Sequence, residues 1–415
     1  MYLNSFKNAI FRNLFASIVL SNLANSIANI SLIWLAYNRF GSPIVIAVVL
    51  GALQLPSIIL GPILGGLLDK FNKLNLMIFA NTINIFVFLF LIFNGLNNHI
   101  DLLVFIVLLI ISGAMKPLLM GGDSMIIQEI FPSGKERMKA NAFVTMSFDM
   151  TYIFGSLTSG LVLALGYGIK IYALVSVFYA VITLLLFKIR GMFTFNQESK
   201  QVSHELSYLQ NTKNAFHIIF RNKQLVLVLL MDFFWNMLLW AGLAVLLPVM
   251  VKQILHSGSQ QYGLLESMTS IGIIVGSFVV GQVEIKESWL IKGVVVAIGI
   301  HGILFSLIGF LNNVYLVSFV LVIIGVGVSP ALIYKTTFYQ QTFDEEAKGA
   351  LFTISGSMTS ASYPIGITLT SILVTFGKTT VPFIFAGYGV LISLLALLVY
   401  HNIKDTKIKN SSYID

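Results

Sequence analysis

Apolar runs of about twenty residues, broken by short polar turns, recur from one end of this chain to the other. A helix needs about 20 apolar residues to cross a hydrocarbon core of roughly 30 Å. Twelve stretches reach that length, at about 14–37, 44–68, 74–95, 102–128, 141–165, 169–188, 224–250, 261–283, 290–310, 314–338, 349–376 and 380–400. Runs such as LLVFIVLLII do not alternate, so the pattern predicts helices, which satisfy each backbone amide within its own segment, and not barrel strands. A long polar stretch interrupts the series and divides it into residues 1–190, a linker at 191–223, and residues 224–415, with six helices on each side. Within the linker, Ser203 is placed to cap a short helix and Glu205 falls in its first turn. Leu206, Leu209, Phe216, Ile219 and Phe220 lie near one face, the pattern of an amphipathic helix on the inner membrane surface.

Composition agrees with a chain whose solvent is lipid. Hydrophobic residues make up 57% and charged residues 10%, against about 25% charged in a soluble domain. The net charge of +8 would suggest a nucleic-acid partner in a soluble protein. Here it has another origin. With a cytoplasmic N-terminus, twenty of the 25 Lys and Arg fall on the inner side and only Arg39, Lys170, Lys252 and Lys378 on the outer, with Lys116 inside a span. That bias predicts a multi-pass cell-membrane protein with both termini cytoplasmic, and no nucleic acid. The absence of cysteine excludes disulfides, thiolate metal sites and cysteine nucleophiles. No A-x-A site follows the first apolar run, so the first helix is expected to be retained.

The two halves share a spacing. Gly61-x4-Gly66-x2-Asp69 closes helix 2, and Gly276-x4-Gly281-x2-Glu284 closes helix 8, each position 215 residues beyond its counterpart. The same offset carries helix 1 onto helix 7. Parallel repeats of this kind are a transporter arrangement in which the halves can rock about a central site.

At this point the residues resemble the major facilitator superfamily. Its loop between helices 2 and 3 reads G-x-x-x-D-R-x-G-R-K; here Gly65 and Asp69 match, Lys70 and Lys73 keep the charge, and Asn72, a residue that tolerates a left-handed turn, replaces Gly. Within the superfamily the chain is most similar to the macrolide-efflux and siderophore-exporter branch, related to drug–proton antiporters. The pieces are Ser21-Asn22-Leu23, Gly41-Ser42-Pro43 with Leu55-Pro56 and Gly61-Pro62, Phe131-Pro132 with Ala140-Asn141, and Pro364-Ile365-Gly366. The chain departs from that pattern at Ser112, where such antiporters often carry Arg, and across Gly155-Ser156-Leu157-Thr158-Ser159-Gly160, where they often carry Gly-Pro. It departs again at Gly349-Ala350, where the branch frequently shows Gly-Arg. The resemblance implies twelve helices in two pseudo-symmetric six-helix bundles, no cofactor, a monomer, and gating by Gly65, Asp69, Lys70 and Lys73, with Asp69 holding neighbouring helices in one state. It also implies export of a small amphipathic molecule driven by protons, with metallophore export or lipid translocation as alternative cargoes.

An intramembrane charge costs about 2.5–3.5 kcal/mol on insertion scales, so it persists when paired, hydrated or useful. The acids so placed are Asp123 in helix 4, Asp149 in helix 5, Asp232 in helix 7 and Glu266 in helix 8. Low dielectric favours an uncharged carboxyl, the property a proton-coupled carrier requires. Asp149 is deepest, and its structural alternative is a pair with Lys116. Glu266 lies in the outer third of its helix. Asp232 and Asp123 lie nearer the inner end, where a partner or water is expected. Asn22, Asn25 and Asn29 share one face of helix 1 and point inward, lining a cavity or bonding a neighbouring helix. Lys116, Phe148 and Tyr152, with Phe234, Trp235 and Asn236 on helix 7, complete the expected cavity, while Trp34 is assigned to the outer aromatic belt. An aromatic cavity with few charges suits amphipathic or weakly cationic compounds. No Arg lies inside a span, which argues against polyanionic substrates.

Other classes fare worse. There is no G-x-x-x-x-G-K loop, and none of the six histidines forms H-E-x-x-H, so neither an ATP-driven pump, a metal site nor a membrane enzyme is expected. Bulky aromatics in a two-fold repeat suit a carrier cavity better than an open channel.

Overall fold

The protein is described by a computed structural model covering residues 6–96, 101–131, 134–192, 223–280, 282, 285–286, 289–342, 345–376 and 381–403. All regular structure among these residues is helical. The helices are α1 (Ala9–Phe40), α2 (Pro43–Lys70), α3 (Lys73–Leu96), α4 (Leu102–Ile130), α5 (Gly134–Ala164) and α6 (Ile171–Met192). There follow α7, running Lys223–Trp235, through a π turn at Asn236–Trp240, to Ala241–Gln253, then α8 (Ser259–Val280), α9 (Leu290–Ile308), α10 (Val314–Thr342), α11 (Glu345–Phe376) and α12 (Val381–Asn402). All twelve expected spans are therefore helical. Ten are long and apolar enough to cross a bilayer by length and composition. The two that fall short, α5 and α11, are diluted by Ser, Thr and Gly. The amphipathic helix expected in the linker lies outside the described residues.

Helix boundaries follow local chemistry. Asn8 Oδ1 accepts from the amides of Ile10 (2.9 Å) and Phe11 (3.2 Å), and Asp101 Oδ1 does the same for Leu103 (2.9 Å) and Val104 (3.4 Å). These caps satisfy otherwise orphaned amides of α1 and α4. Helix α1 ends at Gly41, whose φ of 68° is a left-handed conformation that suits glycine, and Pro43 then opens α2. The α2–α3 turn is only Phe71 and Asn72. Contrary to the sequence expectation, Asn72 is not left-handed. Its side chain accepts from Asn75 N at 3.2 Å and so serves the start of α3.

The chain forms two compact units: residues 1–199 with 257–267, and residues 200–256 with 268–415. In the first, α1 and α5 close on each other where a Cβ at Gly155 would collide with Ser26. Helices α2 and α4 do so at Gly113, whose Cβ would meet the carbonyl oxygens of Leu53 (2.6 Å) and Ala52 (2.9 Å). Between α3 and α6, Phe88 stacks on Tyr179 with centroids 5.7 Å apart. The second unit repeats all three pairings. Gly366 of α11 presses on Met237 and Ala241 of α7, Gly272 of α8 on Gly325 of α10, and Gly302 of α9 on Gly389 of α12. Ala241 is 215 residues beyond Ser26, while the glycines they meet, Gly155 and Gly366, are 211 apart, so the pairing of helices repeats and the residue register does not. Small residues carry these seams because lipid supplies no hydrophobic drive between helices and close backbone contact must replace it. The shared glycine spacing of α2 and α8 is not a shared contact: Gly276 meets Val326 and Ser329, whereas a Cβ at Gly61 or Gly66 meets nothing within 4 Å.

Gly325→Ala is therefore expected to force α8 and α10 apart, at about 1–3 kcal/mol for overpacking. Gly61→Ala is expected to stay within about 0.5 kcal/mol. Thermal denaturation of the two purified variants in one detergent checks the contrast.

Candidate functional site

Close packing along α5 builds the first polar constellation, within the first unit. Ser26 Oγ of α1 donates to the Tyr152 carbonyl at 3.3 Å, and Ser159 Oγ donates to the Ile27 carbonyl at 3.5 Å. Further along α5, Gly160 lies against Ser259 and Gly263, and Ser259 Oγ donates to the Gly160 carbonyl at 3.2 Å. Held between these contacts, the Tyr152 hydroxyl donates to Glu266 Oε2 at 2.7 Å. Tyr262 lies one turn earlier on α8, on the same helix face as Glu266. Its ring stacks on Trp34 at 5.3 Å and 21°. Trp34 is thus buried in this cluster and is not a belt residue; the start of α8 covers it. Asp149 sits half-buried one turn before Tyr152, and Phe148 beside it is exposed. No ion pair joins Lys116 to Asp149 among the described residues.

A tyrosine hydroxyl can donate to a carboxylate and accept from a carboxylic acid. The Tyr152–Glu266 contact therefore accommodates either protonation state without a new partner. Chemically, Glu266 held against Tyr152 is a carboxyl that can carry a proton, and Asp149 is a second carboxyl one turn back along α5.

The expected cavity residues of the same unit divide. Asn25 is engaged: its Nδ2 donates to the Ser21 carbonyl at 2.9 Å and its Oδ1 accepts from Tyr179 at 3.2 Å. Asn22 and Asn29 are half-buried and bond nothing among the described residues. On α4, Ser112 donates to Asn84 Oδ1 at 2.8 Å, Lys116 is exposed, and Asp123 is half-buried. Of the gating residues, Lys73 forms an ion pair with Glu129 of α4, joining α3 to α4. Lys70 is exposed, Gly65 has open space around it, and the Asp69 side chain lies outside the described residues.

The second unit answers for Asp232. Its Oδ1 accepts from Lys335 Nζ at 2.8 Å and its Oδ2 from Thr359 Oγ1 at 3.2 Å. The carboxylate is 4% exposed and ties α7 to α10 and α11. Lys335, one of the basic residues expected on the inner side, lies within α10, where this acid pairs with it. Asn236 Nδ2 turns back to the Asp232 carbonyl at 2.9 Å. Trp235, expected in the cavity, is buried with its ring stacked on His301 at 5.5 Å and 13°, and Phe234 meets Phe233 edge-on at 5.5 Å. His301 is wholly buried and lies against Gly327, as a packing residue would. Sequence reasoning missed Lys335, Thr359, Tyr262 and Glu129. Tyr262 alone left a signal, at i−4 from Glu266 on one helix face.

A sequence profile described as Major Facilitator Superfamily matches residues 14–350 and 242–413. No curated protein matches the chain in sequence. Similar solved structures include the nucleoside transporter NupG, with a TM-score of 0.73 and 13% identity over 94% of this chain and 100% of that one. A bacterial homologue of the iron transporter ferroportin, in an inward-facing state, gives 0.72 and 11% over 94% and 98%. A D-xylose–proton symporter gives 0.67 and 13% over 99% and 100%. At such identities the likeness establishes the fold.

The Asp232–Lys335 pair makes a stability prediction. Removing one partner, as Lys335→Met, is expected to cost about 3–5 kcal/mol, because it strands a buried charge. Asp232→Leu combined with Lys335→Met is expected to recover most of that loss. Thermal denaturation of single and double variants checks the sign.

Proposed function

The chain belongs to the Major Facilitator Superfamily, and from that premise we propose that it exports a small amphipathic compound by alternating access, driven by inward proton flow. Transport by a multi-pass helical membrane protein follows from family membership. The cargo, its direction and the coupling ion are the proposal. The observation that carries it is the Tyr152 hydroxyl at 2.7 Å from the Glu266 carboxyl, one turn from Asp149, in helices that span a membrane. Glu266 is the proton carrier, Tyr152 holds its carboxyl in place in both protonation states, and Asp149 is the second acid of the relay. Asp232 is assigned a structural part, since its charge is matched by Lys335. Export of an amphipathic or weakly cationic molecule is supported by the resemblance to the macrolide-efflux branch and by spans that contain aromatic residues and no interior Arg. Lys73, paired to Glu129, belongs to the proposed gate with Gly65, Asp69 and Lys70.

The test uses proteoliposomes and two probes, a macrolide and ethidium, with an imposed pH gradient. Wild type is expected to accumulate at least one probe against its gradient. The double variant Asp149→Asn with Glu266→Gln is expected to lose gradient-driven accumulation yet still exchange probe across the membrane. Tyr152→Phe removes a hydrogen bond of the charged kind, worth about 1.5–3 kcal/mol, and is expected to move the pH of half-maximal transport without abolishing it. Full gradient-driven activity in the double variant rejects both acids.

Cell-membrane insertion with both termini cytoplasmic is part of the same reading and rests on the one-sided distribution of Lys and Arg. The absence of native cysteine gives a direct check. Ser42→Cys and Ser257→Cys are expected to react with an impermeant maleimide on intact cells, and Lys7→Cys only after permeabilisation. The reverse labelling would invert the orientation.

A further inference from the structure

The second unit carries an apolar groove of about 680 Å³ along the seam of α9 and α12, bounded by Val295, Ser306, Val390 and Tyr400. The two helices run antiparallel, since Gly309 lies against Pro382, Gly302 against Gly389, and Gly299 against Ala396. Their small residues form the floor. Two hydroxyls that would make it polar are turned into the seam: Ser393 Oγ donates to the Gly299 carbonyl at 3.1 Å, and Ser306 Oγ to the Ala386 carbonyl at 3.0 Å. The walls are exposed aliphatic side chains, among them Ile300, Ile303, Leu394 and Leu397.

Length and ends decide the occupant. Val295 to Ser306 spans about 17 Å at about 1.5 Å per residue, close to the roughly 15 Å of one leaflet's hydrocarbon. The two ends differ in chemistry. At the Val295 end, one turn back along the same face of α9, Lys292 Nζ sits 5.6 Å from the centre of the Trp289 ring, and Tyr400 closes the other wall. An amine beside amphipathic rings at the mouth of an apolar slot is suited to a lipid headgroup. The lining itself holds no basic residue at either end, and one turn beyond Ser306 the chain reads Gly309-Phe310, with none where the other end has Lys292. We propose that this groove holds one acyl chain of an anionic phospholipid from the leaflet on the Lys292 side, with the headgroup phosphate at Lys292 and Trp289. The site is separate from the proton-carrying acids and does not depend on the cargo.

The experiment places the full chain in nanodiscs of equal phosphatidylglycerol and phosphatidylcholine, releases it into mild detergent, and counts retained lipids by native mass spectrometry. Wild type is expected to keep one lipid per chain, with about a fivefold preference for phosphatidylglycerol, the effect of one basic residue beside anionic headgroups. Lys292→Gln is expected to bring that preference to parity, and Lys292→Arg to restore it. Ile303→Trp, which fills the groove, is expected to lose the retained lipid; should it fail to fold, Ile300→Trp serves the same purpose. Equal retention of both lipids by wild type, an unchanged preference in Lys292→Gln, or retention undiminished by a folded groove-filling variant overturns the proposal. A dimer mass with no bound lipid also overturns it, since a second copy would then cover the groove.

Discussion

Hydrocarbon offers no hydrogen bonds, and everything in this protein follows from that constraint. Each backbone amide must be answered within its own helix, so the described chain is helical almost throughout. Helices gain nothing hydrophobic by leaving lipid for one another, and so they meet where side chains are smallest. Gly155 on Ser26 and Gly302 on Gly389 are instances. Those seams in turn fix where the few polar groups of each unit can meet. Tyr152 reaches Glu266 because α5 is held tightly at Gly155 and Gly160.

The acids separate by how they meet the same constraint. Asp232 is nearly inaccessible and has a full counter-charge in Lys335, with Thr359 on its second oxygen. Glu266 is half-buried and bonded to a neutral hydroxyl that serves either protonation state. One carboxylate is matched by a cation and the other meets a neutral hydroxyl, which is why the proposal gives Asp232 the structural part and Glu266 the coupling part.

Spans and repeat were legible in the sequence because both are one-dimensional: length, composition and spacing suffice. The offset of 215 that carries helix 1 onto helix 7 carries Ser26 onto Ala241, although the glycines they meet, Gly155 and Gly366, are not related by it. Partnerships between helices were not legible. Lys335 reads only as an inner-side cation until α10 is seen to carry it past Asp232, and Trp34 reads as a belt residue until Tyr262 is seen to cover it. The π turn at Asn236–Trp240 left no signal either, since it shifts the helix register without changing residue type. Asn25 could be placed on the inward face, but only Tyr179 reveals that its oxygen is engaged in packing. Of the expected site, Tyr152 and Glu266 meet in one hydrogen bond, whereas Trp235 is taken up by the core.

The central claim is that Glu266 changes its protonation state in place, against Tyr152. Difference infrared spectroscopy of the lipid-reconstituted protein across a pH step reads this directly and needs no substrate. A protonated-carboxyl band is expected to grow as pH falls, to disappear in Glu266→Gln, and to move in frequency in Tyr152→Phe. A band that persists unchanged in Glu266→Gln, or no titrating carboxyl at all in wild type, would contradict the account.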